Sequence, residues 1–531
     1  MPECRQIAIV GGGPRGLFAL DCLAAVAAQT PDRQFAVTLY EPGAFVGAGP
    51  VYAPDQPLYL LMNFAAGMID AWDRSFADNS QRPSLLDWLA QAYPAEADAN
   101  AYLPRARVGE YLIYCFEHLR ADLAENLSLQ IEPAYVSGVC RAAGGWQVAD
   151  GRRAARFDEV LIATGHQRWQ RPADARPLSA YPTQRLSDAQ DTLAGIVRCK
   201  GFGLTFIDTA LALTLGRGGR FVDSNDGRLA YRASGHEPAC IQPVSRSGRP
   251  MLPKPEAGTV PMDARRSAIV DALSAALDAI ERPVEDFEAD VWPMFCRSAD
   301  AFVAAQPGET ARWFAAWRAR AIDGREATAV MRHAWQVATG LAAPDAAVAL
   351  ALIWRAVYPR LVRLISHGGL AAHALDGFLA ITMEMERIAF GPAASNIARL
   401  LALIDAGVVD LSQLGRQISA SEADIDATIP APSRFDDAGP LPGLIKDEHL
   451  ALTAFGTLDV DPAGRPHPSA STQRLRGIAI VGRATELSVL GNDTLSRTLH
   501  TTLARWATRV CSADQPSAAR PARLIHTMFP A

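Results

Sequence analysis

Gly11, Gly13 and Gly16 have the type and spacing of a phosphate cradle, G-x-G-x-x-G. The first glycine allows a tight turn. The second lets a diphosphate approach the backbone, and the third lets a helix pack closely on a strand. Glu41 closes the next apolar run, Phe35 to Tyr40. A carboxylate there suits a ribose 2′-hydroxyl and repels a 2′-phosphate, so this first site fits FAD or NAD rather than NADP.

The elements that must position these residues fall in order around them. Ile7 to Val10 reads as a buried strand running straight into the glycines, and Leu17 to Ala28 reads as a helix. The N-terminus of that helix offers free N–H groups and a positive dipole end to phosphates. Pro14 and Arg15 lie inside the turn and count among the cofactor-contacting residues.

Composition bounds the function class. The 531 residues suffice for two or three domains, and 49% hydrophobic with 20% charged residues is the balance of a globular enzyme. A net charge of −6 supplies no general field for nucleic acid or anionic membrane. No apolar run reaches the length of a membrane-spanning helix, and the first strand begins too early for a signal peptide. The expectation is a cytoplasmic protein. The eight cysteines are scattered without a CxxC or a Cys/His cluster, which argues against zinc and against a paired redox thiol.

Further along, the reading places helices near Ser84 to Tyr93 and Arg107 to Asn126. A small antiparallel excursion over 128–164 returns through a buried strand, Glu159 to Thr164, into Ala163-Thr164-Gly165-His166. A polar strand, Ile196 to Gly201, then enters a second glycine turn, Gly201-Phe-Gly203, and a helix through Leu215. Its third glycine is absent, since Phe206 occupies that place. Ser224 to Gly227 is a turn signal. From about Met262 to Ile429, apolar residues recur at helical spacing. Pro430 to Gly443 reads as a linker, Arg476 to Gly482 as a strand, and Asp493 to Val510 as a helix.

This order predicts an α/β fold: two interleaved Rossmann-like dinucleotide-binding domains with a large inserted helical region. The expected boundaries are 1–195 for the first part of the FAD-binding domain, 196–258 for the NAD(P)H-binding segment and 259–430 for the helical insert. The return to the FAD-binding domain covers 443–515, with a tail over 516–531. Thr164 and Gly165 would let the backbone pass near the flavin nucleotide; a tight connection between sheets is the plainer alternative.

The chain resembles the two-dinucleotide FAD/NAD(P)-binding flavoproteins, most closely the bacterial aspartate N-monooxygenases that form nitrosuccinate. It is similar, more distantly, to lysine and ornithine N-hydroxylases. The residues carrying the resemblance are Gly11 to Leu17, Leu60 to Asn63, Leu103 to Leu112, Ala163 to His166, Gly201 to Asp208, Ser245 to Gly248 and Gly491 to Arg497. It covers residues 1–255 and 440–510; the helical middle carries no assignable motif. The resemblance implies that NADPH reduces FAD, that the reduced flavin captures O2 as a C4a-hydroperoxide, and that a neutral amine attacks its distal oxygen. The flavin then carries the hard step, while the protein positions it and excludes water.

Individual residues follow from that expectation, each with a plainer alternative. Asn63, in an otherwise apolar run, would hydrogen-bond the flavin edge or the peroxide, or simply cap backbone groups in its loop. Arg105 would meet FAD phosphate or a substrate carboxylate, or be a surface arginine paired with Glu110 or a neighbour. Arg217, Arg220, Arg246 and Arg249 follow the second glycine turn, where a guanidinium fork suits a 2′-phosphate. Arg246 and Arg249 are the chosen pair, which favours NADPH over NADH. Asn492 and Asp493 would open a helix aimed at the flavin pyrimidine, or Asp493 would be its N-cap. His166 is the one histidine inside a motif.

The expected cofactors are FAD and NADPH, and the expected partners are O2 and a small-molecule amine or amino acid, with no nucleic acid or membrane. A homo-oligomer remains open. Two other readings stand beside the N-oxygenase: a different flavin-dependent NAD(P)H oxidoreductase, including a carbon-oxygenating monooxygenase, and a non-catalytic flavin-binding protein.

Overall fold

A computed structural model describes residues 4–75, 82–165, 176–224, 227–429, 439–447, 449–450, 452–453, 456–467 and 475–512. The chain forms two units, each made of separated stretches. The first comprises Met1–Asp55, Ala65–Arg168 and Pro430–Ala531, and the second Gln56–Phe64 and Trp169–Ile429.

In chain order the first unit contributes β1 (Cys4–Val10), α1 (Pro14–Ala28), β2 (Gln34–Tyr40), α2 (Leu85–Ala92), α3 (Arg105–Ala121) and β3 (Leu127–Glu132). There follow β4 (Gly138–Ala142), β5 (Gly145–Ala149), β6 (Ala154–Phe157) and β7 (Glu159–Ile162). The second unit contributes β8 (Leu178–Ser179), α4 (Gln184–Asp188), β9 (Ile196–Lys200), α5 (Leu204–Leu213), β10 (Arg220–Asp223), β11 (Leu229–Arg232) and β12 (Cys240–Val244). Then come α6 (Ala264–Asp278), α7 (Trp292–Val303), α8 (Glu309–Ala319), α9 (Gly324–Ala338), α10 (Ala346–Ile365), α11 (Leu375–Ala389), α12 (Ala394–Asp405) and β13 (Ile425–Asp426). The first unit resumes with α13 (Pro442–Lys446), β14 (Ile478–Ile480) and α14 (Thr502–Cys511).

The central sheet of the first unit has the order β14-β7-β1-β2-β3, and every neighbour pair is parallel. Parallel strands covered on both faces must be apolar throughout, which accounts for the uninterrupted runs Ile7 to Val10 and Val160 to Ile162, all buried. The meander β4-β5-β6 is antiparallel and packs Trp146, Val148 and Phe157 with Val160 and Ile162. Glu159, buried on β7, accepts from Trp506 Nε1 at 3.1 Å and Arg509 Nη1 at 3.0 Å, tying α14 to the sheet.

The second unit repeats the plan with a parallel sheet of order β12-β9-β13-β8. Its core joins Val197, Phe206 and Ile241 to Ile397 and Leu401 of α12. A separate aromatic cluster, Trp292, Phe295, Phe314 and Trp354, fills the interior between α7, α8 and α10. The fold is therefore α/β with two interleaved Rossmann-like sheets and a large helical region, as expected.

Some boundaries differ from the sequence reading. Leu178–Ser179 and α4, expected in the first segment, belong to the second unit. Ile425–Asp426, expected at the end of the helical insert, is a strand between β9 and β8. The predicted helix over Asp493 to Val510 begins only at Thr502, because Thr494 Oγ1 takes the backbone N–H of Ser496 and competes with helical pairing. Residues 430–438 of the predicted linker, and 225–226 of the predicted turn, lie outside the described residues.

Candidate functional site

At the first glycine turn, Gly11 has φ +107° and donates to Tyr40 O at 2.9 Å. A side chain there would place Cβ 2.4 Å from Ala163 O. On Gly16 it would lie 2.2 Å from Gly11 O, which is the close helix–strand approach this position was expected to serve. Gly13 faces open space apart from Gly49 Cα at 3.8 Å. Pro14 occupies the first turn of α1, and no side chain caps that helix. The result is a cradle of backbone N–H groups that a Cβ would fill, the shape and polarity a diphosphate requires.

Glu41 is buried and already accepts from Gly12 N at 2.8 Å and Gly43 N at 2.9 Å. These bonds fix the carboxylate at the end of β2, where each oxygen keeps a further lone pair for a ribose hydroxyl. Arg15 donates to Asn492 O at 2.7 Å and Thr494 O at 2.8 Å. Burial lowers its pKa to about 10. Arg15 thereby binds the glycine turn to the segment after β14 instead of projecting a free guanidinium.

The second turn matches the first in detail. Gly201 has φ +118° and donates to Val244 O at 2.9 Å, as Gly11 does to Tyr40. A Cβ on Gly201 would lie 2.7 Å from Ala427 O, the counterpart of Ala163. A Cβ on Gly203 would meet nothing within 4 Å, and no side chain caps α5. The flanking strands correspond too: β7-β1-β2 in one unit and β13-β9-β12 in the other. Sequence reading missed Ala427-Thr428, which follow β13 as Ala163-Thr164 follow β7; the shared Ala-Thr pair was the available signal. Both cradles fit an adenine dinucleotide on these grounds.

The structure separates the four arginines expected near a 2′-phosphate. Arg249 is buried, with Nε and Nη2 on the Glu384 carboxylate at 2.9 and 2.7 Å and Nη1 on Arg320 O at 2.8 Å. Its donors are committed, so it cannot present a fork to a phosphate. Arg217 is likewise buried, and its guanidinium donates to Leu186 O at 2.8 Å and to the carbonyls of Ala189 and Leu193 at 3.1 Å. Arg220 is exposed on β10. Arg246 is exposed two residues past the end of β12, close to the place that Glu41 takes after β2.

The remaining expected residues are dispersed. Asn63 belongs to the second unit, where its Nδ2 donates to Phe390 O at 3.4 Å. Arg105 opens α3 near Tyr52, whose hydroxyl burial pushes up to about 12. Glu110 pairs with Arg107 at 2.9 Å and with Tyr93, not with Arg105. Thr164 and Gly165 follow β7, Gly165 with φ +65°, and His166 lies outside the described residues. Asn492 and Asp493 do not open a helix, so no helix dipole or N-cap arises there. Asp493 is exposed and pairs with Arg483 at 3.3 Å.

Asn492 is buried with Nδ2 unpartnered among the described residues. It lines a cavity of about 40 Å³ with Arg15, Phe18, Arg497 and His500, room for ordered water. All eight cysteines are free, and the described residues contain no group of metal ligands. No described helix is long and apolar enough to cross a membrane.

The chain is 27% identical to an L-aspartate N-monooxygenase (nitrosuccinate-forming) of Streptomyces cremeus, over 79% of this chain and 76% of the relative. It is 30% identical to a nitrosuccinic acid synthase of Aspergillus oryzae, over 46% of this chain and 40% of that one. Among solved structures, the lysine monooxygenase of Nocardia farcinica aligns over 95% of this chain and 99% of its own, with a TM-score of 0.47 and 13% identity. A family model described as FAD-NAD(P)-binding matches residues 8–167, the stretch that holds the first cradle, Glu41 and the β7 strand.

Proposed function

We propose that this chain is an FAD-containing, NADPH-dependent monooxygenase that oxygenates the amine of an amino acid, with L-aspartate the first substrate to test. The observation carrying this reading is the duplicated cradle: Gly11 and Gly201 make the same bond in the same strand context, one followed by an acid and the other by an arginine. One site therefore suits a resident FAD and the other a visiting NADPH. The relatives' names supply the amine and the aspartate.

FAD, when bound, supplies hydride acceptance and oxygen activation. The chain's own residues bind and orient. Gly11, Gly13, Pro14 and Gly16 shape the diphosphate cradle, Thr164 and Gly165 border it, and Glu41 holds the ribose. Gly201 and Gly203 form the NADPH cradle, and Arg246 takes the 2′-phosphate. Asn63 offers an amide to the reacting centre, and Arg105 offers a cation to FAD phosphate or a substrate carboxylate. The protein acts in the cytoplasm, where NADPH is available.

The test is NADPH oxidation under O2 with a panel of amino acids headed by L-aspartate, with mass spectrometry for added oxygen. Aspartate-stimulated NADPH consumption with a hydroxylamine, oxime, nitroso or nitro product is the expected result. Stimulated consumption without nitrogen oxidation would favour another flavin oxidoreductase.

A further inference from the structure

Lys254 is 7% exposed, and a lysine so buried ordinarily faces a carboxylate. Both of its hydrogen bonds instead go to backbone carbonyls, those of Asn63 and Gly391, the latter at 2.7 Å. Gly391 lies just past the C-terminus of α11, where carbonyls without helical partners carry partial negative charge. Three consecutive carbonyls there each receive a side chain. Arg355 donates to Ala389 O at 2.7 Å, the Asn63 amide to Phe390 O at 3.4 Å, and Lys254 to Gly391 O.

The backbone holds the lysine in register with this end. Lys254 N donates to Pro392 O at 2.9 Å, and Lys254 pairs with Ala393. A side chain on Gly391 would lie 1.9 Å from Leu252 O, so the two segments meet backbone to backbone. The Asn63 amide bond is long and weak. The ammonium on the Asn63 carbonyl is the stronger hold, because a charged donor roughly doubles such a bond.

We propose that Lys254 is the positioning residue of Asn63: its ammonium clamps the Asn63 backbone to the end of α11 and so fixes the amide that Asn63 presents. The proposal rests on the reading of Asn63 as a reaction-site amide. The charged groups facing Lys254 are Arg355 of α10 and Glu386 of α11. Burial, reinforced by Arg355, lowers the Lys254 pKa to about 7. Above that pH the amine loses its charge and one donor, and the clamp weakens.

The experiment uses the FAD-loaded full chain with L-aspartate and measures hydrogen peroxide released per NADPH consumed, as a function of pH. Variants are Lys254→Met, Lys254→Arg, Asn63→Ala and the Lys254→Met/Asn63→Ala double. Wild type is expected to release more peroxide as pH rises through about 7. Lys254→Arg, which keeps its charge, should show no such rise. Lys254→Met should lose about tenfold in oxygenated product per NADPH, the scale of one hydrogen bond to a charged group, and should add nothing to Asn63→Ala.

Product yield unchanged in Lys254→Met, or a loss that adds fully to that of Asn63→Ala, would overturn the proposal and leave the role of Asn63 standing. Unchanged yield in Asn63→Ala would overturn both. FAD content and Tm are measured for each variant. Should Lys254→Met fail to fold, the Lys254→Arg profile decides, since a rise matching wild type excludes the lysine.

Discussion

Arg249 grips Glu384 with both ends of its fork, at 2.9 and 2.7 Å, and Trp317 Nε1 adds a third bond to the same carboxylate at 2.8 Å. An arginine expected to select a cofactor is thereby a structural element joining the segment after β12 to α11. Arg249→Ala leaves the buried Glu384 carboxylate with only the more distant Arg387, at 3.7 Å, and is expected to cost about 3 kcal/mol. It should weaken NADPH and NADH alike. Arg246→Ala should weaken NADPH by about tenfold or more and leave NADH little changed, as expected for loss of a phosphate partner. Cofactor titrations on both variants, with denaturant melts, check this. Equal loss of both cofactors in Arg246→Ala would place the phosphate elsewhere.

Gly13→Trp is expected to yield folded, colourless protein. The position is open apart from Gly49 Cα at 3.8 Å, so an indole would fill the diphosphate space without striking the core. FAD content from the visible spectrum of purified protein is the measurement, and one flavin per chain would refute the cradle.

Lys254 should make stability depend on pH. Burial holds its folded pKa at about 7, below its ordinary 10.5. The resulting destabilisation is present in full below about pH 7 and fades as pH rises toward 10.5, because the unfolded chain keeps the proton that the folded chain releases. Lys254→Met removes that dependence, and the part of its cost that does not vary with pH is the carbonyl bonding a neutral amine would also make. The variant-minus-wild-type difference in Tm should therefore be more positive near about pH 6 than near about pH 9. A difference independent of pH would mean the lysine titrates normally.

Glu159→Ala removes the acceptor shared by Trp506 and Arg509 and should cost about 3–5 kcal/mol. Glu117→Ala, at an exposed pair with Arg120 at 3.5 Å, should cost less than about 0.5 kcal/mol. Hydrogen exchange should show α14 of the Glu159 variant opening first. Equal small losses in both would mean the buried pair contributes no more than a surface one.

Much of the plan was legible because it rests on local pattern. Gly11, Gly16 and Gly201 are forced by backbone geometry that no other residue tolerates cheaply, and the run Val160 to Ile162 announces a strand buried on both faces. The helix after Ser84 was legible as a helix, and the structure adds its cap, where Ser84 and Asp87 bond reciprocally at 3.2 and 2.9 Å. The rest depends on partners distant in sequence. Nothing near Arg249 signals Glu384, and nothing near Arg217 signals the carbonyls it satisfies. Ile425–Asp426 is too short to carry a period, and it follows a long helical stretch that masks it. Asn492-Asp493 before Thr-Leu-Ser reads as a helix start, yet local side-chain bonds hold it as turns until Thr502.

One edge strand of the first sheet, β14, comes late in the chain, and its neighbour β7 is made long before it. During synthesis the ribosome must deliver every residue of the second sheet and its helices while the apolar rim at Val160 to Ile162 has no cover. A bare parallel edge of this kind invites pairing with other nascent chains. Yield in a recombinant host should therefore respond to chaperones that shield such edges, and a polypeptide ended ahead of Ile478 should precipitate rather than fold.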